Sequence, residues 1–234
     1  ILWFGWRGMF QILGVVGLVY VFFYALFVKQ TKPQEETKED KSKKNKYFMH
    51  LLKFSLIWKL ILCAFCISCI NKGLDAWMPT YLIAERGINL KAVGYLTPIP
   101  FIASFLSTAV CGWVMNKYFD KKENWMIVIC AALTAIFLYF MYNAETIMWV
   151  VIFQCGVYFF KACILGTAVA IVLKIVTGSI AGSASTLINM GGQVAGFISP
   201  IIMGYLVYAF NGSFNAVFYY LMGVAALCAI SALL

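Results

Sequence analysis

Charge is the scarcest commodity in this 234-residue chain: Asp, Glu, Lys and Arg together make up 12%, and only nine residues are acidic. Hydrophobic residues account for 63%, and mean hydropathy is +0.88. Soluble domains run near half apolar and a quarter charged, so a water-soluble globule of this length is excluded. Histidine is almost missing as well. His50 stands alone at the edge of an apolar run, which denies the chain the side chain most often used for acid–base work and argues against an enzyme.

Two further absences narrow the class. Alternating segments of about 10 residues, the mark of a membrane β-barrel, do not occur. Apolar runs close to the roughly 20 residues needed to cross a hydrocarbon core recur instead. They give seven candidate spans, at 9–28, 55–76, 95–116, 125–143, 147–173, 183–208 and 214–234, so the expected fold is an all-α polytopic membrane protein. An initiator Met and a signal peptide are also lacking, and the chain opens on ILWFGWRGMF. It is therefore expected to be part of a larger protein.

Cysteine is present, eight times, but without a metal pattern. Cys63, Cys66 and Cys69 lie at i, i+3, i+6 with no fourth ligand following, so they read as small packing residues on one helical stripe rather than cluster ligands. The others are scattered over different spans, and no disulfide framework is legible. No metal or cofactor is implied.

The +9 net charge is unevenly placed. Segment 29–53, KQTKPQEETKEDKSKKNKYFMHLLK, carries eight Lys against four acids and reads as a solvated linker. The positive-inside rule puts it in the cytoplasm. Alternation then puts Lys117, Lys121, Lys122 and Lys174 on the same side, and Arg7, Arg86 and Lys91 outside. Twelve basic residues inside against three outside imply an outer amino end and a cytoplasmic carboxyl end. Acids interrupt the basic linker and no aromatic interleaving follows, so nucleic acid is not an expected partner.

Ionisable groups within spans are by default functional candidates. Gln154, Tyr158 and Lys161, at i, i+4, i+7, share one helical face. Lys161 is too deep for easy snorkelling, and no acid in its own span can neutralise it. It needs a carboxylate from elsewhere or an anionic ligand. Ser68, Asn71, Lys72 and Asp75 form a second stripe, in which Lys72 and Asp75 either pair with each other or serve a substrate. Ser185, Asn189 and Gln193 recur every four residues in a third. Three polar faces make sense around one water-filled cavity, because in lipid each unsatisfied group costs several kcal/mol. Interhelical hydrogen bonds made purely for packing are the alternative, at about 0.6 kcal/mol each. Gly178 to Gly182 and Gly192 to Gly196 are small-xxx-small spacings suited to close helix packing, and TPIP, with Pro98 and Pro100, is a helix-breaking signal.

Several strings then resemble a known family. Trp77 to Leu82, WMPTYL, is similar to the WLPTYL of the anion:cation symporters, a branch of the major facilitator superfamily. The resemblance continues through Gly94 and Pro100 to GWVMNKYFDKK, which is similar to the superfamily's G-x-x-x-D-R/K loop at Gly112 to Lys117. IAGSASTLINMGGQVAGFISPIIMGYLV resembles RGTASGLxNxxGNLGGxxxPxxxGYL. GSFNAVFYY is also family-like, and GWRGMFQILGVVGLV resembles the start of the family's sixth helix. The resemblance implies helices six to twelve of a twelve-helix transporter. Residues 1–28 would close the N-terminal half, 29–53 would be the central cytoplasmic loop, and 54–234 would form the C-terminal six-helix bundle. It departs from the pattern at Asn116, which replaces an acid, at Ala181, which replaces Arg, and at Val169, where sugar-acid members often have Trp. GLDAW, Gly73 to Trp77, looks more like the organophosphate:phosphate antiporters. Of the family's substrate contacts only Asn189 transfers position for position, and its proton-coupling carboxylates usually lie in the half that is missing here.

What the resemblance implies is a secondary transporter of small organic anions, such as sugar acids, in a bacterial inner membrane, coupled to protons and working by alternating access. Its partners would be the anionic substrate, a coupling proton, the bilayer and the missing N-terminal half. Lys161 and Lys72 would offset ligand charge, and Asn71, Gln154, Tyr158, Asn189 and Gln193 would bond hydroxyls. Organophosphate exchange, or a transporter-like sensor, is the alternative. A seven-helix receptor or retinal protein would also match the topology, but retinal proteins attach the cofactor to a Lys in the last span, and here that span has no Lys.

The charge distribution makes a direct prediction. A single cysteine placed between residues 33 and 46 should react with a membrane-impermeant maleimide only after the cytoplasmic face is opened, and labelling in intact cells would reverse the topology.

Overall fold

A computed structural model describes residues 5–27, 55–120, 122–175 and 181–233. The 29–53 linker, Lys121 and Gly178 lie outside the described residues. Two compact units divide the chain, 1–41 and 42–234.

The first unit contains α1, Gly5–Phe27. At about 1.5 Å per residue its 23 residues are long enough to cross a hydrocarbon core of about 30 Å. Large apolar side chains are exposed along its length, from Phe10 to Phe27, as suits a helix that is hydrophobic all round.

The second unit holds α2 (Ser55–Ala84), α3 (Leu90–Leu96), α4 (Ile99–Tyr118), α5 (Glu123–Tyr142), α6 (Ile147–Ile175), α7 (Ala181–Ala209) and α8 (Asn215–Leu233). With α3 and α4 taken as one span, the described residues contain seven helices able to cross a membrane by length and hydropathy. No strand occurs among them. The protein is an all-helical polytopic membrane protein, as expected, since only helices and closed barrels satisfy every backbone polar group within lipid.

The six spans of this unit read as two sets of three. Their lengths run 30, 29, 20 and then 28, 28, 19 residues. Packing follows the same division. The first helix of each set, α2 or α6, lies against the second and third helices of the other set: α2 packs on α7 and α8, and α6 on α4 and α5. Exchanging the sets leaves α5 against α8 and α2 against α6. Because each set crosses three times, the second begins on the opposite side from the first, which is the arrangement of an inverted repeat.

Two boundaries differ from the sequence reading. The span placed at 55–76 continues as helix to Ala84. The polar group Asn71, Lys72 and Asp75 lowers local hydropathy without breaking the backbone, and even Pro79 stays helical. The span placed at 95–116 begins at Leu90 and breaks at Thr97 and Pro98. Asn89 caps α3 by accepting from Ala92 N at 2.8 Å, and Thr97 closes it by donating to Val93 O at 2.7 Å. Pro98 then starts α4, a place where its missing N–H costs nothing.

Polar staples hold both ends of the unit. At the α2 carboxyl end, Arg86 donates to Tyr81 Oη at 2.9 Å and to Ala144 O at 2.7 Å, while Glu85 accepts from Phe214 N at 2.8 Å. The end of α2 is thereby tied to the α5–α6 and α7–α8 turns. The second of these turns requires positive φ at Asn211 (54°) and Gly212 (88°). At the opposite end, Lys174 of α6 pairs with Asp120 at 3.2 Å and Glu123 at 2.7 Å.

Between α2 and α7 the contact is close because glycines line it. A Cβ on Gly191 would sit 2.8 Å from Ile61 Cγ2, one on Gly192 2.7 Å from Ser68 Oγ, and one on Gly204 2.9 Å from Trp77 Cζ2. Trp77 Nε1 in turn donates to Pro200 O at 3.0 Å. Gly182, by contrast, has open space where a Cβ would go.

Those distances set up a paired test. Gly192→Val should lower the stability of the purified protein by about 1–3 kcal/mol through overpacking, read as a fall in melting temperature. Gly182→Ala should leave the melting temperature unchanged.

Candidate functional site

The polar stripe of α6 meets the polar stripe of α2 inside the bundle. Lys161 Nζ donates to Asn71 Oδ1 at 2.5 Å and lies 4.0 Å from Asp75 Oδ1. Tyr158 Oη donates to the same Asp75 oxygen. The Lys161 ammonium also rests over the Tyr158 ring, 3.1 Å from its centroid, where the negative face of the ring attracts a cation. Of the two outcomes open to Lys161, a carboxylate on another helix or an anionic ligand, the structure supplies the first.

Helix α4 positions this cluster. Ser104 donates to Tyr158 O at 3.0 Å and Ser107 to Phe159 O at 2.6 Å, and Phe101 meets the Tyr158 ring edge-on at 5.3 Å between centroids. These contacts fix the α6 backbone at the turn that carries Tyr158 and Lys161. The sequence reading passed over Ser104 and Ser107, although their i, i+3 spacing puts them on one face.

Accessibility grades across the group. Lys161 is 5% exposed, and Gln154 and Tyr158 are buried. Asn71 is half-buried and Asp75 is 27% exposed, so both are more accessible than the lysine. Lys72 is exposed, next along α2, and its stem runs beside α7, where a Cβ on Gly196 would come within 3.2 Å of Lys72 Cγ. Asn189 and Gln193 are exposed on α7, and no hydrogen bond among the described residues joins them to the cluster. The structure thus gathers Asn71, Asp75, Tyr158 and Lys161 and leaves Lys72, Asn189 and Gln193 outside their hydrogen-bond network. Every buried side-chain nitrogen and oxygen among the described residues has a partner. His, Cys, Asp and Glu side chains form no group of three or more able to hold a metal ion, among the described residues. Cys63, Cys66 and Cys69 are buried in the core, with Cys63 Sγ 3.4 Å from Cys228 Sγ of α8.

An all-helical membrane unit with a charged, hydrogen-bonded group at the meeting of its two repeats belongs to the class of polytopic membrane proteins that carry polar sites between helices. A family model described as Major Facilitator Superfamily matches residues 1–160, and the chain belongs to that superfamily. Among its relatives, the "Probable sulfoacetate transporter SauU" of Cupriavidus necator is 25% identical over 250 residues, which is 97% of this chain and 57% of the relative. The "Hexuronate transporter" of Bacillus subtilis is 26% identical over 243 residues, again 97% of this chain and 57% of the relative. The "Probable galactarate/D-glucarate transporter GudP" of Escherichia coli is 27% identical over 172 residues, covering 71% of this chain and 37% of the relative. The chain therefore spans about half the length of the curated relatives it matches.

Tyr158 makes two separable contributions. Tyr158→Phe keeps the ring beneath Lys161 and drops the bond to Asp75, and should cost about 0.6–1.7 kcal/mol of stability. Tyr158→Leu also removes the cation–π contact and should cost about 0.5–2 kcal/mol more. Thermal unfolding of both variants in one detergent measures the difference, and equal losses would mean that the ring contact contributes nothing.

Proposed function

We propose that this chain forms part of a secondary transporter for small organic anions, sugar acids or related carboxylates, driven by protons through alternating access. Residues 1–28 would end one half, 29–53 would be the cytoplasmic connection, and 54–234 would be the second half, with the amino end outside and the carboxyl end in the cytoplasm of a bacterial inner membrane. The observation that carries this reading is the Asn71–Asp75–Tyr158–Lys161 cluster, an ionised group set between α2 and α6 of an apolar bundle. Structural packing alone does not call for a lysine there, since an ion pair of this kind is replaceable by apolar residues at little cost. The acids named in the relatives' titles, sulfoacetate, hexuronate and galactarate or glucarate, all carry anionic groups.

Asn189 and Gln193 are consistent with the same reading. Both amides are exposed in an apolar setting, and in lipid they would be unsatisfied. That face of α7 is best assigned to water, with Asn189 and Gln193 bonding substrate hydroxyls. Lys161 supplies the positive field and Asn71 the nearer hydrogen bond. For the organophosphate alternative the residues are less favourable. It rested on Gly73 to Trp77, and both ends of that string serve helix packing: a Cβ on Gly73 would meet Met203 and Ser199, and Trp77 bonds Pro200 O.

The deciding variant is Lys161→Met, which keeps length and removes charge. Affinity for D-glucarate, D-glucuronate or sulfoacetate, whichever the wild type binds, should fall by about 1–3 kcal/mol, the range for hydrogen bonds to charged groups. Lys161→Arg should restore only part of it, because a planar fork does not replace a compact ammonium. A well-folded Met variant with unchanged affinity would retire the anion role of Lys161.

A further inference from the structure

Asp75 stands between two lysines. One is Lys161 across the interface on α6, 4.0 Å away. The other is Lys72, one turn back on its own helix, and residues three apart on a helix are neighbours within side-chain reach. In the structure Asp75 faces Lys161 and Tyr158, and both contacts fall on Oδ1. Lys72 is exposed, with a flexible four-carbon stem lying along Gly196.

An anion entering this site meets a problem of charge. Lys161 is already neutralised, and the incoming group would lie beside the Asp75 carboxylate, so the attraction of one charge is cancelled by the repulsion of the other. Freed from Lys161, Asp75 would be left without a counter-ion at a partly buried helix interface, an unfavourable state. A second cation within reach relieves it.

We infer that Asp75 is a resident counter-anion which exchanges partners, holding Lys161 while the site is empty and passing to Lys72 when an anionic substrate takes Lys161. This rests on the reading of the α2–α6 face as an anion site and assigns two of its residues new roles. Asp75 competes with the substrate instead of binding it. Lys72 acts through Asp75 and does not touch the anion, which makes it a positioning residue. The exchange leaves no buried charge alone: with the site empty Asp75 pairs Lys161 while Lys72 stays exposed, and with the site filled Lys161 pairs the anion while Lys72 pairs Asp75. On this scheme a neutral sugar would not displace the carboxylate from Lys161.

The test is a double-mutant cycle on the purified protein, with equilibrium binding of D-glucarate, D-glucuronate and sulfoacetate as the readout. Asp75→Asn should bind the anion about tenfold more tightly than wild type, and Lys72→Met about tenfold more weakly. In the double variant the Lys72→Met loss should vanish, leaving affinity within about twofold of Asp75→Asn alone. Lys72→Arg, which still offers a cation to Asp75, should behave as wild type. Weaker binding by Asp75→Asn would make the carboxylate a substrate contact and overturn the exchange. Persistence of the Lys72→Met loss in the Asp75→Asn background would overturn it too, by showing that Lys72 meets the anion directly. Lys72→Met retains the Asp75–Lys161 pair, so its result stands even if Asp75→Asn does not fold, and unchanged affinity in that variant rejects the exchange. Wild-type protein that binds none of the three acids rejects the anion-site reading and the exchange with it, whereas wild-type binding with either contrary variant result rejects the exchange alone.

Discussion

An ammonium group buried among helices has to be paid for in neighbours, and the arrangement around Lys161 shows where they come from. Moving such an ion out of water costs several kcal/mol even after the surroundings relax. The compensation is assembled from two helices: Asn71 and Asp75 on α2, and the Tyr158 ring one turn away on α6 itself. That requirement fixes the rotation of α2 and α6 about their axes, because both polar stripes have to point at each other. It also fixes the α6 backbone, which Ser104 and Ser107 grip from α4 through its carbonyls.

Helix α2 meets these demands by dividing its surface. Asn71 and Asp75 lie four apart and face α6. Ser68, Lys72, Gly73 and Trp77 approach α7, where glycines leave room for them. At about 100° per residue, one step along the helix moves from the polar face towards the packed one. Lys72 sits at the boundary, its stem used for packing and its charge left at the edge of the polar face. The ends are treated differently from the middle. Arg86 and Glu85 tie one end to neighbouring turns, and Lys174 ties the other end of the unit.

Much of this was legible in the chain, up to the point where it depended on which helix faces which. Spans were readable because their apolar runs are long, and their errors came where composition misled. Lys72 and Asp75 depress hydropathy inside α2, which nevertheless runs on to Ala84. The spacing of Gln154, Tyr158 and Lys161 put them on one face, and Lys161 was read as needing either a carboxylate from elsewhere or an anionic ligand. The identity of that carboxylate was not readable. Asp75 was read as either pairing with Lys72 or serving a substrate, since i, i+3 spacing favours a local partner, and only the packing of α6 on α2 brings Lys161 to it. Asn189 and Gln193 show the converse, a periodic polar stripe that joins no cluster within the described residues. Periodicity tells which residues share a face but carries no information about what lies opposite.

The two-by-three organisation gives a reason for the cluster's location. Exchanging the repeats maps α2 onto α6, and these two helices meet each other. A residue at such a self-contact that faced its own counterpart would meet a copy of itself. Identical sequences would therefore set like against like, carboxylate against carboxylate or ammonium against ammonium, and two like charges in a low-dielectric site repel strongly. The repeats can share lengths and packing everywhere else, but at this contact they have to differ if charge is to be kept. They do: α2 supplies the amide and the acid, and α6 the phenol and the base. The asymmetry is what makes the Asp75–Lys161 pair available at this contact.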